Sequence, residues 1–480
     1  MADFNYTEFC CRNGGSNLNA GTLLGDSTEP GTSPSFEFIG GTWVQATRVF
    51  TLASGTTTGL AVGMYCSVYT AGATATGYIS RITGLTSSTI TLSAIENGTN
   101  PANGTYTMRV GGAWKGVKDD GTNFFTENFP GVTAGVASGH TGVARCNYKN
   151  DQTYSVTAVT TVGGSDTRVH QGYASTYGDG GKAVFDGGVA GVSFNLWNVG
   201  AGAEPIAFAD IIFQNNGASG AAAGVVTGCN NAFFWRCVVR NVRGPGFNNT
   251  VGAAYSECEA YACNQSNTTN TGGFQNTGTA AYHRCISHHH PDSNSRGFYL
   301  NGSAALKGCI AYKNGNAGYR GGASMVFMMT GCDAYDNGSH GTTGMQGCIE
   351  NCNFLKNVGY GIDPSSIAQG LLVLNCGFGS GSMQNSSGQI NKTGMGAVVI
   401  ETGTITYTTG TTPWADPDDG DFDVTSSQAK GQGRGRFLQT APGQSGTDST
   451  PDVGAGQGNS ADASGGGSGR RLALTIGLGL

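Results

Sequence analysis

The chain has 480 residues, including 82 glycines and 14 cysteines; only 12% are charged, and the formal net charge is −6. This charge argues against a nucleic-acid-binding protein, which normally shows a basic face, and no run of about 20 apolar residues is present to span a membrane. The first six residues lack the basic and apolar regions of a secretory signal. We therefore expect synthesis in a cytosol and free cysteines. Without any Cys-x-x-Cys pair, we predict no metal site and no cofactor.

The first 110 residues fall into two regions with different patterns. Residues 1–40 are polar and rich in Gly, Ser and Thr, and we expect them to cap the first coil of a larger β-structure, because open β-ends must be covered. Residues 41–110 carry six short alternating segments at even spacing, from Thr42 to Val110. This pattern predicts a small inserted antiparallel β-barrel or sandwich.

A repeat begins after this insertion and becomes regular between residues 229 and 400. Its cysteines are separated by 21, 27, 24, 23, 20 and 24 residues. A period of 20–50 residues is typical of a solenoid, so we predict a solenoid over residues 111–455, with less regular coils at its start. The ladder cysteines are Cys237, Cys258, Cys285, Cys309, Cys332, Cys352 and Cys376.

Within each repeat the side chains alternate with the period of a β-strand. Cys309 and Ala311 share one face of an extended strand, and Ile310 and Tyr312 share the other. Three short strands joined by tight turns fit one repeat, which predicts a parallel β-helix with a core of small apolar thiols. Five positions after the cysteines, we predict a corner ladder of amides spaced by about 4.8 Å, with His290 in the same place one coil earlier. Its members are Asn314, Asn337 and Asn357.

These units resemble the pectate-lyase-like superfamily of right-handed parallel β-helices, including such proteins in bacteriophage virions. The resemblance covers roughly residues 111–455 and depends on the Cys/Asn repeats, on the Gly-rich segment 172–181 and on the ending from Gly420 to Ala455. The early β-insertion ending in Gly-Gly-Ala-Trp-Lys-Gly resembles phage-encoded members in particular. The resemblance to this superfamily implies an all-β fold: a right-handed parallel β-helix solenoid with a small inserted N-terminal antiparallel β-domain.

Catalytic motifs of this superfamily are poorly represented in the chain. Polygalacturonase-like members carry paired aspartates, a Gly-His-Gly-type loop and an Arg-x-Lys; here only His340 with its flanking Gly338 and Gly341 resembles that loop. Asp418 and Asp419 lie far downstream in a loop-like tail. We therefore assign no catalytic residue and treat His340 as a candidate glycan-binding residue.

A second group of candidate glycan-binding residues lies four positions after the ladder cysteines. These residues are predicted to stack on one outer face at about 4.8 Å intervals. The column offers a single carboxylate beside lysines, whereas glycosidases need a pair of carboxyls. A lyase could use a lysine or histidine base, and the simpler alternative is a surface charge ladder, in which each pair contributes at most about 1 kcal/mol. The members are His289, Lys313, Asp336 and Lys356.

The C-terminus combines a linker and a predicted strand. Residues 456–469 are rich in Gly, Ser and Ala and have the composition of a flexible linker. In residues 470–480, every second residue is apolar, which places these side chains on one face of a strand. This strand is predicted to be an attachment device, docking either on its own solenoid or on the sheet edge of a neighbouring subunit. Its apolar face comprises Leu472, Leu474, Ile476 and Leu478, followed by Leu480.

The resemblance leads to three hypotheses about function. The first is a bacteriophage virion structural protein (a capsid decoration protein, head fibre or tail spike element), attached through its termini and contacting host glycans. The second is a tailspike-type polysaccharide depolymerase, a lyase or a hydrolase; the third is a non-catalytic glycan-binding module. The absence of a carboxylate pair favours the first. Expected partners are other virion proteins, copies of the chain itself in a homo-oligomer such as a trimer, and host-surface polysaccharide.

Overall fold

The computed structural model describes residues 7–424, apart from gaps at 17, 72–77, 95–99, 116–143, 157–159, 163–167, 200–205, 230–231, 267–270, 323–325, 365–369, 392–398 and 408–410. The predicted linker 456–469 and the C-terminal strand 470–480, with Leu472, Leu474, Ile476 and Leu478, lie outside the described residues. So does the last part of the predicted solenoid, residues 425–455.

Three long parallel sheets form the body of the molecule, and we name them faces 1, 2 and 3. Face 1 has twelve strands: β1 (Thr7–Cys11), β8 (Ala144–Lys149), β11 (Arg168–Tyr173), β14 (Ile206–Ala209), β17 (Ala232–Trp235), β20 (Gly252–Ser256), β23 (Thr279–His283), β26 (Ala304–Lys307), β29 (Val326–Thr330), β32 (Gln346–Glu350), β35 (Leu371–Leu374) and β38 (Val399–Thr402). Face 2 has eleven: β9 (Thr153–Ser155), β12 (Ala183–Asp186), β15 (Ile211–Gln214), β18 (Val238–Arg240), β21 (Glu259–Tyr261), β24 (Ile286–His288), β27 (Ile310–Tyr312), β30 (Asp333–Tyr335), β33 (Asn353–Leu355), β36 (Gly377–Phe378) and β39 (Ile405–Thr406). Face 3 has ten: β10 (Thr160–Val162), β13 (Trp197–Val199), β16 (Val225–Thr227), β19 (Phe247–Asn249), β22 (Thr271–Asn276), β25 (Ser295–Leu300), β28 (Tyr319–Gly321), β31 (Thr342–Thr343), β34 (Tyr360–Asp363) and β37 (Gly388–Ile390).

The chain visits the three faces in turn, so that each coil contributes one strand to each sheet. β26, β27 and β28, for example, lie on faces 1, 2 and 3, and each pairs in parallel with the strand three places further along the chain. The predicted parallel β-helix is therefore confirmed by the strand pairing. Helical structure in the described residues is limited to a 3-10 turn at Gly381–Met383.

The inserted domain is a closed antiparallel barrel, which confirms a small β-domain and selects a barrel over a sandwich. Its order is β2 (Phe36–Val44), β3 (Val49–Thr51), β6 (Thr89–Leu92), β5 (Tyr78–Leu85), β4 (Tyr65–Tyr69) and β7 (Gly104–Val110). Trp43 and Phe50 lie in its core. Tyr65 packs against Phe9 at the first solenoid strand, with ring centroids 5.6 Å apart, and Phe9 stacks on Trp114. The barrel thus covers the N-terminal region of the solenoid.

Two kinds of left-handed corner join the faces. The corner between faces 1 and 2 is a single residue immediately before the ladder cysteine, such as Arg236 (φ 52°) or Glu257 (φ 55°). The corner between faces 2 and 3 begins with a residue such as Lys313 (φ 51°), followed by the ladder asparagine. Non-glycine residues rarely adopt this conformation. Here the sheets on both sides fix it, and corner residues of successive coils stack along the solenoid, some of them exposed, such as Glu257, and some buried, such as Asp210.

The interior consists of stacked columns. All seven ladder cysteines are buried, and removal from water raises the pKa of thiols such as Cys285 and Cys332. Aromatic rings form a second column below face 1, where Phe234, Tyr255 and Tyr282 stack with centroids 5.1 Å apart at each step. Such columns bury apolar area continuously from one coil to the next.

The asparagine ladder runs along the corner between faces 2 and 3. The Nδ2 of Asn337 donates to the Oδ1 of Asn357 at 2.9 Å, and its Oδ1 accepts from the Nδ2 of Asn314 at 2.9 Å. Asn385 continues the ladder beyond the predicted members. His290 stands in the preceding rung: its Nδ1 accepts the backbone N–H of Cys263, and burial lowers its pKa to about 3. It is therefore a neutral, buried histidine.

A C-terminal hairpin folds back over the outer side of face 2. It consists of β40 (Trp414–Asp416) and β41 (Asp421–Val424). Trp414 and Phe422 pack on Tyr312 and Tyr335. The indole Nε1 of Trp414 also donates to the buried carboxylate of Asp333 at 3.1 Å. The hairpin thereby covers a sheet surface that would otherwise face water.

Candidate functional site

The predicted charged column lies at the corner between faces 2 and 3. His289, Lys313, Asp336 and Lys356 all have left-handed backbones, with φ between 51° and 58°, and occupy successive coils. The Nζ of Lys356 lies 3.4 Å from the Oδ2 of Asp336. The structure thus brings the four residues together on one edge.

Asp418 lies in the turn of the C-terminal hairpin, as the sequence suggested by placing it in a loop, and this turn brings its carboxylate to the column. Its Oδ1 lies 3.4 Å from the Nζ of Lys356 and 3.9 Å from that of Lys313, and it accepts the Tyr335 hydroxyl at 3.1 Å. Burial opposes ionisation of Asp418, but Tyr335 and Lys356 outweigh it and lower its pKa. Both lysines are therefore engaged within the chain.

His289 lies at the end of the column and contacts aromatic neighbours. Its Nδ1 is 2.7 Å from that of His288, and its ring packs edge-on against Tyr312 at 5.4 Å. Partial burial lowers its pKa, and His288 and Lys313 lower it further. These contacts favour a neutral imidazole near pH 7, which removes one cation from the predicted glycan-binding column.

His340 sits apart from the column, at the start of face 3. Its Nδ1 accepts the backbone N–H of Tyr360 at 2.9 Å, so its Nε2 carries the proton and donates to Asp363 at 3.3 Å. The ring stacks parallel to that of Tyr360. Burial lowers the pKa of His340, although Asp363 opposes this. Through these contacts His340 links two adjacent coils of the solenoid.

A charged column that the sequence reasoning missed lies at the corner between faces 1 and 2. Asp210, Arg236, Glu257 and Arg284 occupy four successive left-handed corners and alternate in charge. The Nη2 of Arg236 lies 2.5 Å from the Oδ2 of Asp210. The guanidinium of Arg236 also covers the ring of Trp235, with its Cζ 3.7 Å from the ring centroid.

The two carboxylates of this second column differ sharply in exposure. The Asp210 side chain is only 1% exposed, and burial raises its pKa even though Arg236 opposes the shift. Glu257 is exposed, while Arg236 and Arg284 are half-buried. We name the outward group of Trp235, Arg236, Glu257 and Arg284 the corner patch. It offers two guanidinium groups, a carboxylate and an indole to a ligand.

The sequence contained a signal for this patch. Every member of the column immediately precedes the repeat position of a ladder cysteine, as Arg236 precedes Cys237 and Glu257 precedes Cys258. Aligning the repeats on their cysteines places these residues in one register. The grouping of these side chains at one corner was not apparent from the sequence, because the left-handed corner is a structural feature.

No candidate metal-binding cluster and no candidate membrane-spanning helix is found among the described residues. No group of three or more His, Cys, Asp or Glu side chains is close enough there to hold a metal ion. In the same part of the chain, no helix has the length and apolarity needed to cross a membrane.

Comparison with known proteins gives no family assignment. No protein-family model matches the chain, and no curated protein matches it. Among solved structures it is similar to the A-module of the mannuronan C-5 epimerase AlgE4 from Azotobacter vinelandii, with 15% identity over 58% of this chain and 86% of that one, at a TM-score of 0.42. It is also similar to pectate lyase Pel9A, with 14% identity over 67% of this chain and 90% of that one, at a TM-score of 0.41.

A third similar structure is the Gp54 tailspike of the Acinetobacter baumannii bacteriophage AP22, in complex with an A. baumannii capsular saccharide. The identity is 9% over 77% of this chain and 66% of that one, at a TM-score of 0.24. At such identities and scores, the similarity concerns chain architecture and assigns no activity or ligand to this protein.

Proposed function

We propose that this chain is a structural β-helix of a bacteriophage particle that binds host-surface polysaccharide, without cleaving it, through the corner patch. The observation that carries the glycan part is the grouping of exposed Glu257 with half-buried Trp235, Arg236 and Arg284 along one corner of the solenoid. The virion part is supported by the sequence resemblance, above all by the barrel inserted before the regular coils.

The chemistry of the corner patch suits a sugar polymer. Guanidinium groups donate hydrogen bonds to sugar oxygens, and the Glu257 carboxylate accepts them from sugar hydroxyls. Trp235 adds an apolar surface beside these polar groups, a combination found in small-molecule sites. Because successive corners are spaced by about 4.8 Å, the patch extends along the solenoid and matches an elongated ligand better than a compact one.

A polysaccharide depolymerase is the second candidate, and one observation favours it. Asp210 and Glu257 are two coils apart, about 10 Å by strand spacing, close to the 6.5–9.5 Å separation of inverting glycosidases. Against this, Asp210 is buried beneath Arg236 and ion-paired with it. A carboxylate held in this way cannot reach a glycosidic bond or a water, so we favour binding without cleavage.

The proposal is tested with polysaccharide from the host surface. We expect the purified protein to bind it and to release no shorter fragments. The double variant Glu257→Gln/Arg284→Gln should bind at least about tenfold more weakly, because it removes two charge-assisted contacts. Lys307→Gln, which changes an exposed lysine on face 1, is the matched control and should bind like the parent.

Two results would contradict this proposal. Unchanged affinity of the double variant would show that the corner patch is not the glycan site. Release of oligosaccharides by the parent, lost in Glu257→Gln alone, would make the protein a depolymerase. Attachment to other virion proteins and self-association into a trimer are further parts of the proposal, tested by the C-terminal truncation described in the Discussion.

A further inference from the structure

Face 3 carries a cluster of positive charge on its outer side. Arg296 and Tyr299 lie on β25, and Arg320 lies on β28, where it pairs with Tyr299 across the sheet. Both guanidinium groups approach the same tyrosine ring, with Cζ to centroid distances of 5.3 Å for Arg296 and 5.9 Å for Arg320. The cluster belongs to neither of the corner columns.

Arg296 is unusual because it is buried without a countercharge. Only 4% of the residue is exposed, its Nη1 donates to the carbonyl oxygen of Asn294 at 3.3 Å, and its Nε has no hydrogen-bond partner. Burial lowers its pKa to about 10, and the neighbouring Arg320 contributes to this shift. No carboxylate pairs with either arginine among the described residues.

The nearest acid along the same strand register is already engaged. Asp363 lies two coils beyond Arg320, with Thr343 between them. One of its oxygens faces His340 at 3.3 Å, and the other accepts from the Nδ2 of Asn391 at 2.9 Å. Asp363 therefore does not neutralise the arginine cluster.

Three other arginines of the solenoid and barrel are paired with acids. Arg236 binds Asp210, Arg145 binds Glu8 and Arg109 binds Glu37. Taking a charge out of water is costly unless an opposite charge or several hydrogen bonds compensate it. Arg296 is buried beside Arg320 and has no such acid among the described residues, so a negative charge at this position would be stabilising.

We propose that the cluster of Arg296, Tyr299 and Arg320 binds an oxyanion, and that its natural form is the carboxylate of an acidic saccharide. Arg320 is only half-buried, and its guanidinium can hold a carboxylate in a two-pronged hydrogen-bonded arrangement. Arg296 lies behind it and adds positive potential from the protein interior. The half-buried ring of Tyr299 offers an amphipathic surface beside the anion.

A neighbouring residue extends the site towards a sugar. Gln275 occupies the coil before Tyr299 in the same register, and its Oε1 is buried without a hydrogen-bond partner. A rotation of this amide would allow its Oε1 to accept a hydrogen bond from a sugar hydroxyl. A site that binds an anion on one coil and a hydroxyl on the adjacent coil fits a sugar acid better than it fits a free inorganic ion.

The experiment measures binding to the full chain by isothermal titration at constant ionic strength, with three probes: trigalacturonate, inorganic sulfate and the neutral maltotriose. We expect trigalacturonate to bind and maltotriose not to bind. Arg320→Gln should weaken trigalacturonate binding at least about tenfold. Lys307→Gln removes the same charge from face 1 and should leave trigalacturonate binding unaltered. Arg296→Met provides a second variant that removes the buried cation while keeping an apolar chain of similar length.

The outcomes separate the possible sources of the anion. Sulfate binding that is as tight as trigalacturonate binding, and lost in Arg320→Gln, would support the oxyanion site while overturning the saccharide as its natural form. No binding of either anion, or equal binding by the parent and Arg320→Gln, would overturn the site. The variant Glu257→Gln/Arg284→Gln should keep its response to trigalacturonate, so that failure of the corner patch and failure of this site are distinguishable.

Discussion

Replacing Asn337 by alanine should destabilise the solenoid more than any exposed substitution. The Oδ1 of Asn337 accepts both the backbone N–H of Asn314, at 3.2 Å, and its Nδ2, at 2.9 Å. Its Nδ2 donates to Asn357 at 2.9 Å and to the carbonyl of Ala311 at 3.0 Å. The variant loses four buried hydrogen bonds and leaves the Asn314 N–H without a partner.

The expected loss in the free energy of unfolding follows from these hydrogen bonds. An orphaned buried N–H costs about 1–3 kcal/mol, and each of the other bonds contributes about 0.5–1.5 kcal/mol. The remaining partners keep other contacts, since the Nδ2 of Asn314 also donates to Ser287 and the Oδ1 of Asn357 also accepts the backbone N–H of Asn337. We therefore expect a loss of about 2–5 kcal/mol in the free energy of unfolding.

Urea denaturation followed by circular dichroism provides the measurement. A solenoid of repeated coils need not unfold in one step, so the shift of the midpoint relative to a control is the relevant quantity. Asn301→Ala removes an exposed asparagine at the end of a face 3 strand and should change stability by less than about 0.5 kcal/mol. If Asn337→Ala behaves like this control, the ladder does not stabilise the fold as argued.

Three further predictions concern the cysteines, the hairpin and the C-terminus. Alkylation of the native protein should label at most Cys348, the one half-buried thiol, and the rest only after denaturation; intact disulfides between coils would contradict this. Asp418→Asn should lower stability at neutral pH. Because Tyr335 and Lys356 lower the pKa of Asp418 below its ordinary 3.8, the wild-type advantage exists above that value and disappears as the pH falls through the lowered pKa, which is checked by melting curves of both proteins across pH. Truncation after Gly469 should abolish assembly into oligomers or particles, as measured by light scattering; full assembly would refute an attachment role, and lower thermal stability of an isolated monomer would indicate self-capping instead.

The fold was predictable because its signals are periodic in the sequence. The spacing of the cysteines fixes the length of each coil, and the alternation of Cys309 and Ala311 with Ile310 and Tyr312 fixes which side chains point inward. Each coil also repeats its interactions with the next, so an error in one repeat does not change the prediction for the others. The amide ladder and the place of His290 follow from the same register.

The candidate site was less predictable, because it depends on contacts between distant segments. Asp333 occupies the same strand position as Ile310, on the face opposite to the buried cysteines, yet it is fully buried and bonded to Trp414. Nothing local in the sequence indicates that residues 414–424 return to face 2, and this return is what places Asp418 between Lys313 and Lys356. The charges of the predicted column are therefore balanced by a carboxylate from a distant segment, which the column's own sequence does not indicate.

The two charged corner columns and the arginine cluster of face 3 differ in how their positive charges are balanced. Stacked coils bring equivalent side chains to about 4.8 Å, where like charges repel, so columns alternate in sign or acquire a partner. Asp210, Arg236, Glu257 and Arg284 alternate, and the lysines of the other corner acquire Asp418. Arg296 and Arg320 do neither: they share one tyrosine ring with no acid paired to them in the described residues. The two corner columns contain acids and this cluster contains none, so an anionic ligand would supply the negative charge that the cluster lacks.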